Sequence, residues 1–110
     1  MKVIKGAGAY TAPDGGGTGW AEQLRVADLS VGTYCIAAGG TDDQEPHAED
    51  EIYLVTAGQA SFEAGGQRVA AGPGTALFVP AGEVHRFTDV TEDLAVVVVF
   101  GPAEGTRAAG

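Results

Sequence analysis

The stretch GGTDDQEPHAEDEIYLVTAG, residues 39–58, decides how this chain is read. Six carboxylates, Asp42, Asp43, Glu45, Glu49, Asp50 and Glu51, crowd around one histidine, His47, and the chain then turns apolar. A carboxylate heading a buried strand needs an ion pair, hydrogen bonds or a metal to offset its lost hydration. Alternate residues of a strand share a face, which groups Glu45 with His47 and Glu51 with Tyr53. Asp42, Asp43 and Asp50 read as solvated charge, so only some of these acids are expected to face a cation.

A second stretch, GTALFVPAGEVHRFTD at 74–89, has a sharp turn at PAGEV, then His85, with Phe87 two positions on along the same face. His47 and His85 are the only histidines in 110 residues. Around them lie short β candidates cut by glycine or proline: EIYLVTAG, QASFEAGG, QRVAAG, TALFVPAG, EVHRFTDV and DLAVVVVF. LRVADLSVGTYCIAA supplies two more, and helical periodicity is absent beyond a single turn at LRVADL. The valines at 96–99 form a continuous apolar run, expected of a strand covered on both faces, central in its sheet or under a subunit interface. Short strands at this spacing predict a sandwich or small barrel, and one this small is expected to pair with a second copy as a homodimer.

The bulk composition narrows the function. With 110 residues there is room for one domain. Eighteen glycines, spread without a period, suit many tight turns. A net charge of −9 argues against nucleic acid and against an anionic membrane surface. No stretch is long and apolar enough for a spanning helix, the N-terminus lacks a signal-peptide core, and one cysteine, Cys35, makes no internal disulfide; a cytoplasmic location is the expectation. The glycines of PDGGGTGW are not followed by the Lys-Ser/Thr of a phosphate loop. No nucleophile elbow accompanies either histidine. The expected organisation is an N-terminal loop or arm at 1–23, a β-barrel at 24–101 and a flexible tail at 102–110.

Both histidine stretches resemble motifs of one family. Residues 39–58 resemble the first cupin motif through Gly40, His47, Glu51 and Gly58. Residues 74–89 resemble the second through Gly74, Pro80, Gly82 and His85, with Asp89 where asparagine is usual. The resemblance, to a small single-domain cupin, spans residues 40–89 and implies an all-β, jelly-roll-like double-stranded barrel with a metal in its mouth. Carried over by position, His47, Glu51 and His85 are the implied ligands, a two-histidine, one-carboxylate set associated with Fe(II). The first histidine place of the motif falls on Glu45, followed by Pro46. Glu45 is therefore read as a fourth ligand or, with Glu51, as a catalytic carboxylate, and Glu49 is the alternative. A carboxylate there would favour Fe(II) or Mn(II), with Zn(II), Ni(II) or Cu(II) also compatible with the site.

Tyr53 and Phe87 are read either as lining for a substrate pocket or as barrel core. Cys35 is expected to be buried and inert, and Arg86 to point away from the site. Trp20 covers either the barrel mouth or a partner. The expected function is a mononuclear metal-dependent enzyme, oxygenase-like, acting on a small organic substrate. A metal-dependent isomerase, epimerase or cyclase is the second form, and a non-catalytic small-molecule binder the third.

Overall fold

The computed structural model describes residues 1–107. Six strands follow in order: β1 Thr18–Val26, β2 Leu29–Ile36, β3 Asp50–Ala64, β4 Gln67–Ala71, β5 Ala76–Val79 and β6 His85–Gly101. Neighbours run β1-β2-β6-β3-β4, with β5 also on β3, and every pairing is antiparallel. The fold is the all-β double-stranded barrel expected. Among the described residues no helix is long and apolar enough to cross a membrane.

Two long strands build the barrel. EIYLVTAG and QASFEAGG, read as separate strands, are one strand, β3; EVHRFTDV and DLAVVVVF are likewise β6. Glycine misled the division. Gly58 lies at φ +90° within β3, where the β3–β6 register shifts between Val55 and Ser61. It marks a bulge that bends the strand without ending it. A Cβ there would fall 2.3 Å from the Asp93 carbonyl oxygen. Asp89, at φ +48°, makes a comparable local departure in β6, a conformation aspartate tolerates better than most residues.

Alternation then sorts the side chains. Glu51, Tyr53 and Val55 of β3 face inward while Asp50, Ile52 and Leu54 face out. Val96, Val98 and Phe100 of β6 join Ile36, Phe62, Phe87 and Leu94 in the core. The valine run is central, between β2 and β3, one of the two placements its pattern allowed. The N-terminal arm contributes to its outer cover: the Gly8 amide donates to Thr33 Oγ1 (2.9 Å), Thr56 Oγ1 donates to the Gly8 carbonyl, and a Cβ on Gly8 would meet Val97. Cys35 is buried beneath the same arm.

Both expected boundaries move. β1 begins at Thr18, inside the segment read as an arm. The segment read as a loose tail folds back over the barrel as far as residue 107: Ala103 is buried, the Glu104 amide donates to Ser30 Oγ, and the Gly105 and Arg107 amides donate to Glu49. Residues 108–110 lie outside the described residues.

Gly58→Ala should cost about 3 kcal/mol, because the bulge conformation and the Asp93 carbonyl both oppose a side chain. Urea denaturation would show this as a lower midpoint at unchanged slope. A loss within experimental error would mean that the bulge relaxes freely.

Candidate metal centre

The head of β3 supplies the carboxylate. Glu51 is the first inward residue of that strand, is 2% exposed, and lies between Val79 of β5 and Phe100 of β6. His85 opens β6 and is also buried. Its Nδ1 lies 2.7 Å from the Glu83 carbonyl oxygen. A carbonyl only accepts, so Nδ1 carries a proton, and in the neutral ring Nε2 turns its lone pair inward. His47 stands on the loop before β3. Its own carbonyl accepts the Gly82 amide at 2.8 Å, which ties the loop to the turn that precedes His85. The His47 ring packs edge-on against Phe100, with centroids 4.8 Å apart.

One donor atom from each of His47, Glu51 and His85 lies within 4.8 Å of the others. Glu51 Oε1 and His85 Nε2 are 2.9 Å apart. Donors bound cis to one metal at about 2.1 Å stand about 3 Å apart, so this spacing suits shared coordination. Among the described residues, neither oxygen of Glu51 has a conventional hydrogen-bond donor. His85 Nε2 could donate only if the ring were imidazolium, since Nδ1 is already engaged. Alone, the site therefore holds a naked buried carboxylate or a buried ion pair, costly by several kcal/mol per ion. A divalent cation would satisfy the carboxylate and both imidazole lone pairs together, so the residues fit a metal.

The residues expected from sequence divide. Tyr53 lines the site: its hydroxyl is 2.9 Å from His85 Nε2 and donates to Gln44 Oε1 at 2.9 Å. Burial, reinforced by the Glu51 charge, raises its pKa and keeps the phenol protonated. Glu45 is solvent-exposed and outside the three-residue group. The reason is local. Residues 41–47 are irregular, so the i, i+2 rule that grouped Glu45 with His47 does not apply. Gln44 turns inward instead.

Three further residues find their places. Glu49 is buried, but its two oxygens are taken by the Gly105 and Arg107 amides. Asp42 is not solvated charge: it is 6% exposed and accepts from Tyr34 Oη (2.7 Å), Gln44 Nε2 (2.8 Å) and the Phe87 amide (2.8 Å). Phe87 belongs to the core, stacked edge-on against Phe62 and Tyr53. Asp43, Asp50 and Arg86 are exposed, as read.

A cavity of about 180 Å³ opens beside His47, walled by Trp20, Tyr34, Val98 and Phe100, with Gln44, Tyr53 and Glu104 as its other polar groups. Trp20 reaches it because Gly32 has no side chain; a Cβ there would lie 2.2 Å from the indole. Glu104 arrives on the C-terminal turn, its Oε2 3.6 Å from His47 Nδ1, while Arg25 holds its carbonyl at 2.8 Å. Burial raises its pKa against the pull of His47 and Arg25. Nothing in the glycine- and alanine-rich end of the chain signalled this role. A larger cleft of about 290 Å³ between the arm and β1–β2 contains neither histidine.

Comparison with known proteins agrees with this architecture. A cupin-domain family model matches residues 32–101. A Streptomyces coelicolor protein of uncharacterized role is 46% identical over 81 residues, covering 74% of this chain and 77% of its own. KdgF from Halomonas superposes with a TM-score of 0.72 at 23% identity, covering 78% of this chain and 79% of that one. An RmlC-like cupin from Desulfovibrio desulfuricans superposes at 0.76 with 18% identity, over 94% and 98% of the two chains. Those structures share the fold, and the match over 32–101 places this chain in the cupin domain family.

Proposed function

We propose that this cupin is a mononuclear metal-dependent enzyme acting on a small organic molecule held in the cavity beside His47. The observation that carries the proposal is Glu51: a buried carboxylate without a conventional donor, facing two imidazoles. The donor set favours Fe(II) or Mn(II), which would supply a Lewis-acidic, redox-active centre with positions left open.

The chain's own residues would do the rest. Glu83 fixes the His85 tautomer, Tyr53 offers a hydroxyl proton at the site, and Trp20, Val98 and Phe100 shut water from the substrate's body. The cavity, about 180 Å³, compares with the ~150 Å³ that accepts a benzene ring, so a single-ring or similarly small substrate fits. Oxygenase-like chemistry on a metal-chelating substrate is the leading form. A second form, a redox-neutral isomerase, epimerase or cyclase, is favoured by the position of Glu104, a carboxylate on the cavity wall outside the three-residue group. Oxygen uptake distinguishes the first from the second. A non-catalytic binder would keep its ligand after chelation.

We also propose a homodimer, because Phe78 and Ile52 are register partners on the outer face, 65% and 47% exposed, with Leu54 beside them. Sedimentation should give a dimer that Phe78→Glu reduces to monomer; a native monomer would reject the assembly.

Protein purified without chelators should carry about one Fe or Mn per chain, and His85→Ala should lose it while remaining a folded barrel. A native protein free of metal after reconstitution would overturn the metal reading. A His85→Ala chain that fails to fold would make the metal structural.

Metal and proton should also compete at His85. Burial pulls its pKa down, but the Glu51 carboxylate 2.9 Å from Nε2, with the Glu83 carbonyl and nearby charge, outweighs this and leaves it raised from 6.5. A raised histidine stabilises the fold below its unfolded pKa, and that contribution is lost as pH climbs through the folded value. Metal-free protein should therefore lose melting temperature as the pH rises above 6.5, and Glu51→Gln should flatten the slope. An equal slope in both proteins would exclude the pair as its source.

A further inference from the structure

Gln44, not the exposed Glu45, turns toward the histidines, and it is uncharged. Gln44 Oε1 lies 3.3 Å from His47 Nε2 and 2.9 Å from the Tyr53 hydroxyl, which is itself 2.9 Å from His85 Nε2. The spacing to His47 is again close to the roughly 3 Å separating cis ligands of one metal.

The orientation of the amide follows from its other end. Gln44 Nε2 lies 2.8 Å from Asp42 Oδ2. A carboxylate only accepts, so the NH2 group must face Asp42 and the carbonyl oxygen must face the histidines. Asp42 cannot turn away, because Tyr34 Oη and the Phe87 amide hold it and it is 6% exposed. The Tyr53 proton does not block coordination, since an amide oxygen has two lone pairs, one for the hydroxyl and one for a cation.

We propose that Gln44 Oε1 is the fourth protein ligand of the metal centre, with Asp42 as the positioning residue that aims it. This rests on the metal reading above and deepens it. The ligand set becomes two histidines, one glutamate and one glutamine. Only Glu51 carries charge, so a divalent ion keeps one net positive charge that a second carboxylate at Glu45 would have cancelled. Such a centre suits a singly anionic oxygen ligand, an enolate, phenolate or carboxylate, better than a neutral one.

Co(II) binding to the full chain tests this, read by chelator competition and by the visible spectrum, with melting of the metal-free forms as the control for folding. Gln44→Ala should weaken Co(II) by about tenfold or more and alter the spectrum. Gln44→His should restore binding, because an imidazole can donate from Nδ1 to Asp42 and present Nε2 to the metal, as the amide does with its NH2 and oxygen. A purely structural glutamine would not be rescued in this way. Native-like affinity and spectrum in Gln44→Ala would overturn the assignment while leaving the metal centre standing. Native protein that binds no Co(II) would remove both.

Discussion

The structure depends on one unpaid electrostatic debt: the Glu51 carboxylate, sealed at the head of β3 with no conventional hydrogen-bond donor among the described residues. Its neighbours across the sheet are Val79 and Phe100, which exclude water and offer nothing polar. Folding would be favoured by an apolar residue at that position, so the charge has to be explained by what faces it. Two imidazoles do, one of them held by a backbone carbonyl in the tautomer that leaves its inner nitrogen unprotonated. A cation would satisfy all three.

The barrel converges on that point because β3 and β6 are long enough to serve both of its ends. The head of β3 and the C-terminal half of β6 pair beside Glu51, while the head of β6 delivers His85. The bulge at Gly58 bends β3 without breaking it. The loop carrying His47 is stitched to the turn before His85 by the Gly82 amide. Around this rigid frame, the Asp42 network and the C-terminal turn supply the cavity's variable polar groups, Gln44 and Glu104. The fold is shared with cupins of low identity; these groups are where this chain can set its own chemistry.

Much of the fold could be read from the sequence, because it rests on alternation, which a strand expresses locally. Val96–Val99 announced a strand covered on both faces, and paired glycine- and histidine-bearing motifs singled out His47, Glu51 and His85. Glycine was ambiguous: at Gly58 it permits a bulge, and no local signal separates that from a turn. Glu45 was misplaced because period-two reasoning was extended into an irregular loop, where neighbouring hydrogen bonds choose which residue turns inward. Glu49, Asp42 and Glu104 depend on contacts distant in sequence, to residues 105 and 107, to Phe87 and to His47. Such pairings leave no periodic trace.

The most direct measurement is anomalous diffraction from crystals of the chain loaded with Mn(II) or Fe(II), recorded at the metal's absorption edge. The predicted result is one peak within bonding distance of His47, Glu51 and His85. A map with no peak there, and Glu51 instead protonated or hydrogen-bonded to water, would contradict the claim that this buried carboxylate exists to hold a cation.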